Sequence, residues 1–211
     1  AEKAQILAAA GRPDEGVALL QDRLSADRDD DIPLYLGLAA VHAEGRRWDD
    51  AIHALETALS RHEGDIQLMF QHAAVLERAG RYGPAADAFR RLLAADPDNA
   101  TAMNYLGYML IDYNLDVTAG IAHVQQALKR EPKNPAYLDS LGWGYFKQKE
   151  YHKALDLLLQ AARALPTDPT LLEHLGDTYQ ALGRTHDARD CYEKALSFSP
   201  EADALARLND K

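Results

Sequence analysis

The chain has 211 residues and a formal net charge of −10 at pH 7, with 47% hydrophobic and 27% charged residues. This composition is typical of a folded protein and excludes a disordered tail, and the acidic balance argues against nucleic acid, whose phosphates require a basic face. No apolar run approaches the roughly 20 residues of a membrane-spanning helix. The single cysteine, Cys191, excludes an internal disulfide and leaves the redox compartment open.

The first segment predicts an incomplete pair of helices. Residues 1–10 are predicted to end one helix, 11–13 to form a turn, and 14–25 to form a second helix with apolar residues on one face. The segment has no initiating Met and no signal-peptide pattern, and the turn at Gly11 comes too early for a complete first helix. We therefore expect it to begin inside a longer protein. Asp31 is predicted to cap the following helix with its carboxylate.

Two later stretches repeat each other at a spacing of 34 residues, the first from Pro135 and the second from Pro169. Matching positions are Leu138, Leu141, Gly142, Tyr145, Ala154, Leu158, Ala161 and Pro166 in the first stretch, and Leu172, Leu175, Gly176, Tyr179, Ala188, Tyr192, Ala195 and Pro200 in the second. The exception is Tyr151, whose counterpart is Thr185. Asn134 and Asp168 precede the two prolines, and this pairing predicts a capped helix start. Each stretch therefore predicts two helices, here named helix A and helix B.

The same pattern extends through the rest of the chain. It predicts a partial repeat at 1–31 and complete repeats two to six at 32–65, 66–99, 100–134, 135–168 and 169–202, followed by a capping helix over 201–210. Small residues at offsets 8 and 20 of each repeat predict a close approach of its two helices, and large residues at offsets 4, 7, 11 and 24 fill the layer between pairs.

Two features depart from the pattern. His72 stands at an offset where leucine is usual, and we expect a hydrogen-bonded core residue there. Repeat four has one extra residue within 112–118, which we interpret as a tolerated loop insertion. Gly80 and Gly183 stand where helix A should end in a left-handed turn.

This spacing and residue pattern resemble the tetratricopeptide repeat (TPR) family. The resemblance implies an all-α fold, a TPR-type α-solenoid that forms a right-handed superhelix of antiparallel helix pairs, with one array over 1–211. The string 138–145, followed by 173–177, is also similar to strings in bacterial TPR proteins, among them envelope lipoproteins that act as adaptors for periplasmic proteases. Both the bacterial cytoplasm and the periplasm stay open as compartments.

The sequence predicts no catalytic residue, cofactor or metal site. It contains no G-x-S-x-G turn and no glycine-rich phosphate loop. None of its eight histidines has the HExxH spacing or a cysteine partner. The acidic runs at 29–31 and 49–50 fall in a connector and at a helix start, where solvent and the helix dipole favour carboxylates. We therefore expect a protein that is not an enzyme.

Offsets 2, 5, 6, 9, 12 and 13 of helix A form a second stripe at helical spacing. In the TPR family this stripe lines a concave surface that binds a peptide. The candidates in repeats four to six are Asn104, Tyr105, Tyr108, Asp112, Asp139, Ser140, Trp143, Phe146, Lys147, Glu173, His174, Asp177 and Gln180. The aromatic side chains predict binding anchors, and the amides predict hydrogen bonds to a peptide backbone. In the alternative interpretation, the aromatics complete the packing between neighbouring A helices.

The charge of this stripe predicts the kind of partner. Four carboxylates face one cation, Lys147, which favours a protein or peptide with basic and hydrophobic groups. Offsets 2, 5, 6 and 9 contain no Lys or Arg in repeats two to six, which argues against a clamp for an acidic C-terminal tail. The predicted function is a non-catalytic adaptor or scaffold. The alternatives are a substrate-recruiting arm of a larger enzyme or envelope assembly factor, and a self-assembling scaffold; the oligomeric state is open.

Overall fold

A computed structural model describes residues 2–24 and 31–198 of the chain. Within these ranges the chain forms twelve α-helices and no strand. The helices are α1 (Glu2–Ala9), α2 (Pro13–Leu24), α3 (Ile32–Glu44), α4 (Trp48–Arg61), α5 (Ile66–Arg78), α6 (Tyr82–Ala95), α7 (Ala100–Asp112), α8 (Val117–Arg130), α9 (Pro135–Lys147), α10 (Tyr151–Ala162), α11 (Pro169–Ala181) and α12 (Thr185–Phe198). The capping helix expected over 201–210 lies outside the described residues.

The helices fall into two compact units, Ala1–Asp98 and Asn99–Lys211. Within each compact unit every odd-numbered helix packs against the even-numbered helix that follows it, and successive pairs pack on each other. The odd-numbered helices are therefore the A helices of the repeats, and the even-numbered ones are the B helices. A single array across both compact units stays a prediction.

The expected caps of α9 and α11 are confirmed. Oδ1 of Asn134 accepts hydrogen bonds from the N–H groups of Ala136 and Tyr137, at 3.0 and 3.4 Å. Oδ1 of Asp168 accepts from the N–H of Leu171 at 2.9 Å. The amide oxygen of Asn134 and the carboxylate oxygen of Asp168 thus accept from first-turn N–H groups that have no partner inside the helix.

The predicted cap at Asp31 is wrong. Asp31 directly precedes α3, but its side chain accepts no hydrogen bond from the helix. Its carboxylate is almost fully buried and lies 2.5 Å from Nε2 of His62 and 3.0 Å from Nη2 of Arg61, at the end of α4. A buried carboxylate requires charged or hydrogen-bonded partners, and here these are the side chains of His62 and Arg61 and not the amides of α3.

The A-to-B turns contain left-handed residues, as expected. Gly80 and Gly183 both have φ of +74°, a conformation that costs glycine nothing. Arg46, Asn114 and Lys149 occupy the same place in other repeats with φ between 54° and 64°. These three residues therefore adopt a backbone conformation that is unfavourable for a residue with a Cβ atom.

The extra residue of repeat four lies between Asn114 and α8. Two residues, Leu115 and Asp116, separate the left-handed position from the B helix, and both of their N–H groups donate to the carbonyl of Leu110. Oδ1 of Asp116 accepts a hydrogen bond from the N–H of Ala119 at 2.9 Å. The insertion therefore gives α8 a side-chain cap, which the B helices α4, α6 and α10 do not have.

The close approach of paired helices is confirmed most clearly between α7 and α8. A Cβ atom added to Gly107 would lie 2.7 Å from the carbonyl oxygen of Gly120, and one added to Gly120 would lie 2.6 Å from the carbonyl oxygen of Gly107. In repeat six, a Cβ on Gly176 would meet the ring of Tyr192 at 2.2 Å. Glycine at these positions lets backbone or an aromatic ring occupy the space of a side chain.

Candidate functional site

The thirteen candidate residues lie on α7, α9 and α11, the three A helices of the second compact unit. They differ in exposure. Tyr105 and Gln180 are exposed; Tyr108, Asp112, Asp139, Phe146, Lys147 and Asp177 are partly buried; and Asn104, Ser140, Trp143, Glu173 and His174 are buried. The first two groups are accessible to solvent, whereas the third group is buried.

Trp143 joins the three A helices. Its side chain on α9 is buried, with 8% of the residue exposed. The indole stacks with Phe146 at a centroid distance of 4.6 Å and with His174 of α11 at 4.1 Å, and its Nε1–H donates to Oδ1 of Asp112 on α7 at 2.9 Å. These contacts are those of the packing interpretation. Direct contact between Trp143 and a partner stays a prediction.

His174 forms a second connection between the A helices. Its Nδ1 lies 2.9 Å from Oδ1 of Asp139 on α9, and its ring lies 6.3 Å from that of Tyr108 on α7. A carboxylate that bonds one imidazole nitrogen fixes the orientation of the ring. Trp143, His174, Asp112 and Asp139 therefore form a cross-helix cluster that holds α7, α9 and α11 together.

The single cation of the stripe is directed inward. Nζ of Lys147 lies 4.7 Å from the centre of the Trp143 ring, a cation–π distance, and donates to the carbonyl oxygen of Asp112 at 3.2 Å. At the other end of the stripe, the hydroxyl of Tyr192 donates to Oδ1 of Asp177 at 2.7 Å. Burial, together with this carboxylate, raises the pKa of the Tyr192 phenol. The phenol therefore stays protonated and remains a donor to Asp177.

The two buried polar side chains on α7 and α9 differ in how they are satisfied. The Ser140 hydroxyl donates to the carbonyl of Ala136 at 2.9 Å. Oδ1 of Asn104 is buried and has no hydrogen-bond partner among the described residues. An unsatisfied buried acceptor is costly, so Asn104 would gain from a donor that reached it.

The described residues contain no group of three or more His, Cys, Asp or Glu side chains that could hold a metal ion. Within the same ranges, no helix is both long and apolar enough to cross a bilayer. Cys191 is buried in the second compact unit, and burial raises the pKa of its thiol. A buried thiol of this kind is a weak nucleophile at neutral pH.

Sequence reasoning missed one feature of the polar interior, and its expectation of a hydrogen-bonded residue was wrong for Nε2 of a second. The first is the group formed by Asp31, at the end of repeat one, with Arg61 and His62, near the end of repeat two; no motif joins them. The second is His72, which is buried as expected but has no hydrogen-bond partner at Nε2 in the described part of the chain. The signal for His72 was present in the sequence, since a histidine replaces the usual leucine.

Stacked helix pairs with regular A-to-B turns define an all-α repeat protein of the solenoid class. Models of the tetratricopeptide repeat family match residues 70–112, 112–169 and 169–202, together well over half of the chain. The chain belongs to the TPR family.

The chain is similar to parts of longer proteins. It is 31% identical over 172 residues to a TPR repeat-containing protein of Pseudomonas aeruginosa, covering 82% of this chain and 29% of that one. It is 25% identical over 181 residues to a peroxisomal targeting signal receptor of Debaryomyces hansenii, covering 80% and 29%. The chain therefore spans less than a third of the length of either relative.

Two solved structures share the fold. A tetratricopeptide repeat protein from Parabacteroides merdae superposes with a TM-score of 0.80 at 18% identity, covering 99% of this chain and 82% of that one. A thermophilic TPR protein of Thermus thermophilus gives 0.71 at 24% identity, with coverage of 83% and 96%. These matches confirm the predicted TPR-type α-solenoid class.

Proposed function

We propose that this chain is a non-catalytic adaptor that binds a protein segment on the A-helix face of α7, α9 and α11. TPR arrays are scaffolds for protein–protein interaction, so family membership supplies the general class. The position of the site and the chemistry of the partner are the specific parts of the proposal. Its principal support is the charge of this face.

The face carries an excess of carboxylates. Asp112, Asp139, Glu173 and Asp177 belong to it, and its one cation, Lys147, interacts with Trp143 and with the backbone of Asp112. A segment with Lys or Arg side chains would find a negative potential along the three helices, which accelerates association and rejects acidic competitors. Basic groups in the partner are therefore favoured.

The apolar contribution comes from the accessible aromatics. Tyr105 is 47% exposed, and Tyr108 on α7 and Phe146 on α9 are partly buried. Tyrosine gives a large contact area at low entropic cost, and aromatic anchors dominate many interfaces. We assign Tyr105 as the principal anchor and Tyr108 and Phe146 as secondary anchors.

The cross-helix cluster acts beneath this face. Trp143 and His174 hold α7, α9 and α11 in register, so a bound segment does not have to order them. Preorganisation of this kind raises affinity because it reduces the entropy lost on binding. Gln180, exposed on α11, provides an amide for a peptide backbone, whereas the Asn104 amide on α7 is buried.

The relatives are consistent with binding of a segment. One of them is by name a receptor for a targeting signal. A second candidate function is a recruiting arm within a longer protein, and the chain's coverage of less than a third of its relatives favours it. Both candidates use the same face, and they differ in whether another domain acts on the bound segment.

The test compares peptides and variants by fluorescence anisotropy. A library of peptides with matched hydrophobicity and opposite charge is titrated against the chain, against Tyr105→Ala, and against Leu159→Ala. Leu159 is 38% exposed on helix α10, so it is a matched control on a B helix. We expect basic-hydrophobic peptides to bind, and Tyr105→Ala to weaken them about tenfold or more, with Leu159→Ala unchanged.

Binding should also weaken as salt is raised, because charges on an exposed face are screened. Selection of acidic peptides would contradict the proposal, as would equal losses in the two variants. A change of mass with concentration that Tyr105→Ala abolishes would favour the self-assembling scaffold instead.

A further inference from the structure

His174 on α11 is the one histidine among the candidate residues of the A-helix face. It is buried, with 4% of the residue exposed, and its Nδ1 lies 2.9 Å from Oδ1 of Asp139 on α9. A carboxylate only accepts hydrogen bonds, so Nδ1 carries the proton of the neutral ring and Nε2 is the atom that takes up a second one. Among the described residues, Nε2 of His174 is not one of the buried polar atoms that lack a partner, so it is either open to solvent or hydrogen-bonded.

The neighbours of this ring can accommodate a positive charge. Asp139 places a carboxylate at hydrogen-bond distance. The indole of Trp143 stacks on the imidazole at a centroid distance of 4.1 Å, and the ring of Tyr108 lies 6.3 Å away. An opposite charge and an aromatic face both stabilise a cation. The pair formed by His174 and Asp139 can therefore exist with or without a proton on Nε2.

His174 is surrounded by other ionisable groups, which set the charge of this part of the face. They are Glu173 and Asp177 on α11 itself; Tyr108 and Asp112 on α7; Tyr137, Asp139, Tyr145 and Lys147 on α9; and Cys191 and Tyr192 on α12. Two more histidines, His152 on α10 and His186 on α12, are exposed. Histidine is the side chain that ordinarily changes charge between about pH 5 and 8, whereas carboxylates, phenols and lysine ordinarily do not. Proton uptake by His174 is therefore the natural way to vary the charge of the face in that range.

We propose that proton uptake by His174 weakens the binding of basic segments to the A-helix face, so that the adaptor releases such a partner as the pH falls. This inference rests on the proposed function. Four carboxylates and one ammonium lie among the candidate residues, and an imidazolium reduces the excess of negative charges from three to two. The new charge adjoins Asp139 and repels Lys and Arg side chains of the partner.

The same coupling acts in the opposite direction. If a proton on His174 lowers the affinity for a basic segment, a bound basic segment must lower the affinity for that proton by the same factor. Binding should therefore release protons into the solution at a pH where His174 is partly protonated. This release is a readout that a purely structural role of His174 would not produce.

The experiment is isothermal titration calorimetry, because it needs no label that titrates in the same range. The probe is an acetylated and amidated peptide of arginine and leucine, which has no group that titrates between about pH 5 and 8. It is titrated into the full 211-residue chain at constant ionic strength. We expect Kd to rise about three- to tenfold from about pH 8 to about pH 5.5, the effect of one nearby unit charge on a partly solvated face. Titrations in two buffers of different ionisation enthalpy should show proton release at intermediate pH.

A peptide with glutamine in place of arginine separates charge from packing. His174 also stacks on Trp143, so a loss of packing on protonation would weaken both peptides alike. A charge effect weakens only the arginine peptide. Equal weakening of the two peptides at low pH would overturn the proposal, and so would a Kd of the arginine peptide that does not change with pH.

The variant for this test is His174→Gln, whose amide can still donate to Asp139 but does not titrate. The matched control is His186→Gln, the same substitution at an exposed position of α12. We expect the pH dependence to disappear in the first variant and to remain in the second. Its retention in a His174→Gln chain that circular dichroism shows to be folded would overturn the proposal. Failure of the arginine peptide to bind at any pH would overturn the proposed function as well, whereas pH-independent binding would overturn this inference alone.

Discussion

Replacement of Trp143 by alanine separates packing from binding on the A-helix face. Trp143 is buried, with 8% of the residue exposed. The substitution removes its indole, the stacking on Phe146 and His174, and the hydrogen bond to Asp112. Loss of a buried aromatic side chain costs about 3–5 kcal/mol, because both the transfer free energy and the cavity contribute. Domains of this size have a total stability of about 5–15 kcal/mol, so the second compact unit should be severely weakened.

Trp143→Phe is the matched control. It keeps an aromatic ring for stacking and removes the Nε1–H that donates to Asp112. The Asp112 carboxylate is partly exposed and can bond water instead, so we expect a smaller loss of about 1–2 kcal/mol. The two variants together separate the contribution of the ring from that of its hydrogen bond.

The measurement is urea unfolding followed by circular dichroism, together with hydrogen exchange of amides in α7, α9 and α11. Hydrogen exchange is needed because a repeat array can lose one part before another. Trp143→Ala should expose the amides of all three helices, since the cross-helix cluster joins them. A loss of less than about 1 kcal/mol, with protection unchanged, would refute this account of Trp143.

Three further predictions test the helix packing, the turns and the buried His72. Gly107→Ala should cost about 1–3 kcal/mol in chemical unfolding, because its Cβ would lie 2.7 Å from the Gly120 carbonyl oxygen; an unchanged midpoint would contradict the close approach. Lys149→Gly should stabilise the chain by about 1 kcal/mol, because φ at this position is 64° and glycine relieves the left-handed strain. The opposite substitution at the equivalent position of repeat six, Gly183→Lys, should lower the stability by a similar amount. Effects of the same sign in the two variants would contradict this account of the turns. Burial lowers the pKa of His72 below the 6.5 of the unfolded chain, so the contribution of the neutral imidazole to stability is full above about pH 6.5 and is lost as the pH falls through the lowered folded pKa. Melting temperatures should therefore decrease as the pH falls, and they should depend less on pH in His72→Leu. An identical pH profile in that variant would contradict this role of His72.

The positions of the helices could be predicted from the sequence because each repeat carries its own local signals. Pro135 and Pro169 begin α9 and α11, and the side chains before them cap those helices. Asp31 precedes a proline-containing first turn in the same way, yet its carboxylate pairs with His62 and Arg61. Those partners lie at the end of α4, in the case of His62 31 residues further along the chain, and no local pattern shows that the carboxylate pairs with them and not with the helix amides.

Exposure on the candidate face could not be predicted from offsets alone. Tyr105, Ser140 and His174 share offset 6 of helix A, but Tyr105 is 47% exposed and the other two are 3% and 4% exposed. The difference arises from contacts between A helices, such as the stacking of His174 on Trp143. Such contacts depend on the angle between successive helix pairs, which the repeat pattern does not specify.

The central claim is that α7, α9 and α11 present an acidic face to a partner segment. A titration of the isotope-labelled chain with a basic-hydrophobic peptide, followed by NMR, tests it most directly. The account predicts chemical-shift changes at Tyr105, Tyr108, Phe146, Asp177 and Gln180 that saturate together and diminish in salt. Changes confined to the B helices α8, α10 and α12, or equal changes with an acidic peptide of the same hydrophobicity, would contradict it.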